Sequence, residues 1–275
     1  MSTTILITGA AGHLGSVLTD GLARPGRVLK LTDRRAPSEP VTSEFLIADL
    51  SDLESAVDVI RGVDVVVHAA GIPDEAPFDL LAEANMVVTY NVFEAARLNR
   101  VRRVVYASSA HVVGMYKRGV RLGVGAELAP DSMYAVTKLF GESVGFVYAN
   151  KHGLEVVNIR IGSFQATPAD ARQLQTWLSY PDAISIFDRA LEADVRGVVT
   201  VYGGSANTGR WWSDEGYDEL GFKPIDDAAR FEETVPAERH LSDWQGGVFG
   251  LPWYTGSGPL AVPFREPESR PGEGR

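Results

Sequence analysis

The stretch Ile5-Leu6-Ile7-Thr8-Gly9-Ala10-Ala11-Gly12-His13-Leu14-Gly15 decides the fold. Its apolar run ends in Thr-Gly, which reads as a buried strand entering a turn. Leu14, Val17, Leu18 and Leu22 then recur at helical spacing, predicting a helix over about residues 12–23. Between strand and helix, Gly9, Gly12 and Gly15 form G-x-x-G-x-x-G. Glycine permits the turn and lets an anion approach the backbone. The helix start offers free N–H groups and a favourable dipole. Three glycines alone are a weak signal; their place after the first strand and at the mouth of a helix strengthens it.

Working outward, the same alternation continues. Residues 28–32 form a second strand ending at Asp33, 18 residues beyond Gly15 and near the spacing of a carboxylate that binds ribose hydroxyls. Asp33 favours a dinucleotide without a 2′-phosphate, hence NAD. Arg34 and Arg35 could pair with such a phosphate, or stand as two solvated arginines. Residues 45–47 form a third strand; Asp49 and Ser51 are N-cap material for the next helix, and Asp49-Leu50 could also contact adenine. Residues 63–68 form a fourth strand, ending in His68-Ala69-Ala70-Gly71, small residues suited to passing under a cofactor or to close packing. A long helix is predicted over 78–99, a fifth strand over 103–107, a helix over 133–151 and a sixth strand over 155–161. A helix over 181–193 and a seventh strand over 197–202 follow. Strands of near-continuous Val and Ile separated by helices predict an α/β, doubly wound parallel sheet, a Rossmann fold.

Composition fits this picture. The 275 residues are 45% hydrophobic and 23% charged, ordinary for a globular chain. The net charge of −10 argues against broad nucleic-acid binding. The absence of cysteine excludes disulfides, zinc–thiolate sites and cysteine nucleophiles, and no metal-ligand spacing occurs. With neither a secretory signal at the start nor an apolar run of membrane-spanning length, a cytoplasmic location is expected. Residues 265–275, polar and rich in Pro and Gly, read as a disordered tail. Trp177, Trp211 and Trp212 read as core. Arg97, Arg100, Arg102 and Arg103 read as a solvated helix end.

A second constellation lies later. Tyr134 and Lys138 stand at i and i+4 on one helix face. A nearby ammonium favours phenolate, so Lys138 is expected to lower the Tyr134 pKa and make it a general base. Ser108 and Ser109 end the fifth strand, where a hydroxyl can hold a substrate oxygen against Tyr134.

With TGAAGHLG (8–15), HAAG (68–71), NMVVTYNVFEAAR (85–97), YASS (106–109) and YAVTK (134–138), the first 160 or so residues resemble the extended short-chain dehydrogenase/reductase superfamily. SSAHVVG (108–114), RIGS (160–163), QTWLSYPD (175–182), GRWW (209–212) and WQGGVFG (244–250) are similar to bacterial uronate dehydrogenases, which oxidise C1 of galacturonate or glucuronate with NAD to the aldaric acid lactone. The resemblance implies a cofactor domain over 1–160, with Gly9, Gly12, His13, Leu14, Gly15, Asp33, Arg34, Asp49, Leu50, Ala69, Ala70, Gly71, Asn85, Ser108, Tyr134, Lys138 and Ile161 binding NAD. It implies a substrate-binding portion over 161–264 that also holds the remaining sheet elements. Ser109 would be the catalytic serine and Lys138 the ribose contact. His111 and Ser163 would touch sugar hydroxyls, Arg172 would hold the sugar carboxylate through its guanidinium fork, and Phe249 would close the pocket. By the residues alone, Arg172 reads as a surface arginine and His111 equally as a structural loop histidine. The partner expected is a small-molecule sugar acid, with no nucleic acid and no membrane, and a homo-oligomer is possible. Two positions depart from the uronate pattern: Ala110 replaces an Asn and Pro73 a Ser, both sugar-facing there. A nucleotide-sugar epimerase or dehydratase, a dehydrogenase of another sugar or alcohol, and a non-catalytic dinucleotide sensor are the competing readings. The sensor fits poorly, because Tyr134 and Lys138 are both present.

Overall fold

In the computed structural model, which describes residues 2–236, 242–257, 259–261 and 263, seven parallel strands form one sheet in the order β3-β2-β1-β4-β5-β6-β9. They are β1 (Thr3–Thr8), β2 (Arg27–Asp33), β3 (Glu44–Ile47), β4 (Val65–His68), β5 (Arg103–Ser109), β6 (Glu155–Ile161) and β9 (Val198–Gly203), with a separate small pair β7 (Ser163–Phe164) and β8 (Trp177–Leu178) joined through the short helix α6 (Gln173–Thr176). The expected α/β Rossmann architecture is present. The small pair was not foreseen, its strands being two residues each.

Strand alternation splits the buried side chains into two layers. Ile5, Ile7, Val65, Val67 and Val105 pack against Leu18 and Leu22 of α1 (His13–Leu22) and Ile186, Phe187 and Leu191 of α7 (Tyr180–Glu192). Leu6, Val66 and Val104 face the other way, toward Val59 and Ile60 of α2 (Leu53–Ile60), Val92 and Phe93 of α4 (Val88–Leu98) and Tyr148 and Ala149 of α5 (Met133–His152). Two buried faces explain the unbroken Val/Ile runs of these strands. A third cluster, with Val112, Val113, Leu122, Tyr202, Trp211 and Trp212, sits beyond these layers, and Trp177 is fully buried. The three tryptophans are core, as expected.

The long helix foreseen over 78–99 is three pieces in series. α3 (Phe78–Leu81) passes into a wide π-turn, Ala82–Val87, and then α4. Such turns are common near functional sites, and this one carries Asn85. The helix after β3 is capped by Asp52, whose side chain accepts from Ser55 N, rather than by Asp49 or Ser51. Arg103 also departs from expectation. Its side chain is 1% exposed, bonded from Nε to Glu155 (2.9 Å) and from the two Nη atoms to the Ala190 and Ala193 carbonyls at the end of α7 (2.7 and 2.6 Å). The guanidinium thus serves two elements distant in sequence, favourably placed at a helix C-terminus. The predicted tail, 265–275, lies outside the described residues. No helix among the described residues is long and apolar enough to cross a membrane.

β1 and β4 are neighbours although β2 and β3 intervene in the chain. The sheet order therefore reverses at β1, and a crevice opens beyond the C-terminal ends of these two strands. The helix that carries Tyr134, α5, lies close to β5: a Cβ on Gly141 would meet the Tyr106 ring at 2.3 Å. Alanine would gain ~1 kcal/mol of helix propensity but overpack the interface by about 1–3 kcal/mol. Gly141→Ala should therefore lower the unfolding free energy by about 1 kcal/mol net, read as a lower urea midpoint at unchanged slope, and a raised midpoint would show that α5 can ride outward at no cost.

Candidate active site

The crevice is lined by Gly9, Gly12, Asp33, Arg34, Asp49, Leu50, Ala69, Ala70 and Gly71, with Arg35, Ala48, Ser51, Ile72, Glu83, Ala84 and Val88 completing a cleft of about 740 Å³ open to solvent. The sequence named the first nine for the cofactor and weighed Arg35 as a phosphate partner; Glu83, Ala84 and Val88 come from the distant helical stretch 82–98, whose proximity only folding establishes. Its floor is set by two glycines. Gly9 has φ +69, and a Cβ there would stand 2.7 Å from the Ala70 backbone; a Cβ on Gly15 would stand 2.2 Å from the Gly9 carbonyl. The N-cap of α1 is Gly12, with no side-chain cap, so the first-turn N–H groups stay available. Asp33 accepts from Ala11 N (3.2 Å) and Arg35 N (3.2 Å), tying the glycine loop to the end of β2. Asp49 accepts from Ser51 N (2.9 Å), and that bond, first among the causes, lowers its pKa. This cradle, with its bare helix start and a carboxylate at its rim, fits a dinucleotide.

Other sequence-named cofactor residues sit elsewhere. Gly15 and Leu14 lie in α1 beneath the loop, and Ile161 at the end of β6 packs on the core. His13 opens α1, its Nε2 2.6 Å from the Tyr180 hydroxyl and its ring 4.8 Å from Phe164. Two residues are committed away from the cleft. Asn85 accepts from Ile72 N (2.7 Å) and donates to the Ile72 carbonyl and to Thr137 (3.1 and 2.9 Å). Ser108 donates to Glu142 (2.6 Å), which also holds Arg160. Adjacent strand residues face opposite sides, so only one of the two serines can face Tyr134.

That one is Ser109. Its hydroxyl is near enough to Tyr134 to favour the phenolate, and it accepts from His111 N (3.2 Å). The His111 ring lies against Phe249, tilted by 33°, with centroids 4.1 Å apart, and the Tyr134 ring lies 6.0 Å from His111 and 6.1 Å from Phe249. Ile72 lines the cleft and also packs with Tyr134 and Phe249, so this cluster adjoins the cradle. Ser163 and Arg172 form a second group: Arg172 donates from Nη1 to Ser163 Oγ (3.3 Å) and from Nε to the Gln245 carbonyl (2.5 Å). Gln245 and Phe249 belong to one strap, residues 244–257, which links the two groups.

Lys138 is buried. Its Nζ donates to the Ala107 carbonyl (2.9 Å) and stands 5.8 Å from the centre of the Tyr134 ring. Here the sequence expectation fails. Burial pushes Tyr134 up to about 12; the neighbouring Ser109 hydroxyl opposes this, and the charges of Asp131 and Asp74 add to it. Burial likewise brings Lys138 down to about 8. Desolvation acts on both groups against their charged forms and outweighs the ammonium's pull.

Several residues around Tyr134 were missed. Glu75 accepts from Tyr134 N (2.9 Å) at the start of α5, and burial raises its pKa. Asp74 accepts from the Tyr254 hydroxyl (2.7 Å) and from Ser257 N and Oγ (2.9 and 2.7 Å), fastening the strap. Asp131 accepts from His111 Nδ1 (2.7 Å). Only Asp131, in an Asp-Ser pair ahead of an apolar helix, carried a local signal, and that signal is of a helix cap. Among the described residues no group of three or more His, Asp or Glu could hold a metal ion.

Residues 5–179 match the model of the NAD dependent epimerase/dehydratase family. The chain belongs to that family. Across nearly its whole length it is similar to a uronate dehydrogenase of Pseudomonas putida, 36% identical over 255 residues, 90% of this chain and 95% of that one. A uronate dehydrogenase variant from Agrobacterium tumefaciens, solved with NAD, superposes with TM-score 0.85 at 36% identity, covering 91% of this chain and 97% of the other. An L-arabinose 1-dehydrogenase (NAD(P)(+)) of Haloferax volcanii is 35% identical over 255 residues, 83% of this chain and 99% of its own.

The cradle makes a direct prediction. Gly15→Ala forces a methyl against the Gly9 carbonyl, so NAD binding measured by calorimetry should weaken more than about tenfold, about 1.4 kcal/mol. Unchanged affinity would mean the loop has room that the geometry denies.

Proposed function

We propose that the protein is an NAD-dependent dehydrogenase that oxidises C1 of a cyclic uronic acid, galacturonate or glucuronate, to the aldarolactone. The observation that carries this reading is the meeting of Ser109, Tyr134, His111 and Phe249 directly beside the glycine cradle. Relatedness to uronate dehydrogenases supports the substrate class. On this reading residues 1–160 hold the cofactor, and 161–264, the substrate-binding portion, add Ser163, Arg172 and Phe249 to the sugar site.

Gly9, Gly12 and the α1 start would hold the diphosphate, Asp33 the adenosine ribose, and Lys138 the second ribose. When bound, NAD supplies the acceptor for the C1 hydride. The chain's own residues handle position and the proton. Ser109 and Tyr134 hold the C1 hydroxyl, and its proton passes to Tyr134 Oη. Removing it leaves the electron pair that closes the C1 carbonyl as the hydride departs. Arg172 would grip the sugar carboxylate, a planar fork matching two oxygens, and Ser163, which accepts from Arg172 Nη1, would meet a sugar hydroxyl beside it. Phe249 covers the ring face and keeps water out. A second reading, oxidation of a neutral aldose, is favoured by the likeness to an L-arabinose dehydrogenase.

The test is NADH formation with galacturonate, glucuronate, galactose, glucose and L-arabinose, repeated with NADP. Turnover of uronates with little from neutral sugars supports the carboxylate grip. The reverse preference establishes the second reading, and no NADH from any of these, using protein that binds NAD, removes both.

Tyr134→Phe should cut kcat by about 10²–10⁴-fold while leaving the NAD Kd nearly unchanged. Because Tyr134 titrates near 12, its phenolate fraction grows with pH throughout the neutral range. Oxidation should therefore speed up from about pH 6 to about pH 8. The rise should then bend as Lys138, held near 8, loses the charge that favours phenolate. A flat profile would remove Tyr134 as the base.

A further inference from the structure

Asp131 lies in the loop just ahead of α5, and its side chain is completely buried. Two glycines make room for it. A Cβ on Gly114 or on Gly246 would stand 1.7 Å from Asp131 Oδ2. Neither needs glycine's conformational freedom, with φ −62 at Gly114 and −68 at Gly246, so the missing side chains serve the carboxylate. Gly114 ends the 3-10 turn that carries His111, and Gly246 opens the one that carries Phe249. The glycines are joined by a bond from Gly246 N to the Gly114 carbonyl (2.9 Å). On its other oxygen, Asp131 accepts from Ser132 Oγ (2.9 Å), and Ser132 caps α5, the helix of Tyr134. The carboxylate thus sits where the three elements that build the sugar mouth converge. An ionised carboxylate only accepts, so the 2.7 Å contact fixes the proton on His111 Nδ1. Nε2 has no hydrogen-bond partner among the described residues, and the His111 side chain keeps 19% exposure between the rings of Phe249 and Tyr134.

We infer that Asp131 is a positioning residue: it holds His111 in the Nδ1–H tautomer, so that Nε2 is offered as an acceptor to a substrate hydroxyl. This rests on the dehydrogenase reading above for what occupies the mouth, but the tautomer itself does not. A buried second partner that selects a histidine tautomer is a general device. A bare acceptor nitrogen favours a sugar that presents a hydroxyl donor there over one lacking it. Asp131 also acts on Tyr134 through its charge. The groups facing Tyr134 are Asp131, Asp74 and Glu75 from two loops, Lys138 from α5, Tyr106 and Ser109 from β5, and His111. Asp131 and Asp74 are the carboxylates that raise Tyr134.

The test uses the full chain with Asp131→Asn, close in shape, and Asp131→Ala. Long-range ¹H–¹⁵N spectra of the histidine rings at mildly alkaline pH, with His111 assigned by the signals lost in His111→Gln, need no turnover. The wild type should show Nδ1–H, and the variants a shift toward Nε2–H. In steady-state kinetics, Asp131→Asn should raise the sugar KM about tenfold, the value of one good hydrogen bond, with the NAD Kd unchanged. The limb of the pH profile assigned to Tyr134 should move to lower pH. An Nε2–H wild-type ring, or one tautomer in all three proteins, overturns the inference. So does a sugar KM that changes only in step with the NAD Kd, because a merely structural tie predicts that pattern. If the wild type makes NADH from none of the sugars, the dehydrogenase reading fails, and the ring signals still decide whether Asp131 sets the tautomer.

Discussion

The structure depends on how closely two backbones pass at the reversal of the sheet. The loop after β1 crosses the end of β4 with only a hydrogen atom where Gly9 would otherwise carry a Cβ, and Gly15 lets the first turn of α1 settle against the same loop. That approach points the helix start into the crevice, and Asp33 completes it by holding Ala11 N. Any side chain at these positions would open the floor on which an anion must rest. The remaining lining arrives through ordinary βα turns at the C-terminal ends of neighbouring strands.

Around this floor, the groups proposed to react are organised by burial more than by attraction. Tyr134 and Lys138 share a helix face, yet removal from water dominates both. The tyrosine is held neutral and the lysine is brought near the physiological range. A base that is reluctant to ionise is more basic once it does, and its neighbours set when that happens. Ser109 eases ionisation, while Asp131 and Asp74 resist it. This balance depends on α5 being seated on Tyr106 through Gly141 and capped by Ser132, with Glu75 receiving the Tyr134 N–H.

The fold was legible because its signals are local. A strand, a glycine turn and a helix are written within residues 5–22, and Val/Ile runs announce strands buried on both faces. The i, i+4 pair of Tyr134 and Lys138 was legible for the same reason. What the sequence hid depends on separations of tens of residues. Glu75 meets Tyr134 N across 59 positions, and Arg103 meets the end of α7 across almost 90. Arg103 looked like one member of a solvated basic cluster because nothing nearby reveals a helix terminus waiting for it. Ser108 and Ser109 were indistinguishable as letters; the strand's pleat sends one to Glu142 and the other to Tyr134. The Tyr134 pKa was misread because the sequence shows the ammonium but not the depth at which both groups lie.

The strap that carries Phe249 has a consequence for redesign. Asp74 binds its far end through Tyr254 and Ser257, Gly256 lies against the Glu75 backbone, and Arg172 holds its near end at Gln245. The strap, the proposed roof of the sugar mouth, is therefore not an interchangeable module. Grafting a relative's C-terminal segment to change substrate preference would strand the Asp74 carboxylate and loosen a loop that also borders the cofactor cleft. On this geometry residues 72–76 would have to travel together with 244–257, so that Asp74 keeps the partners it holds.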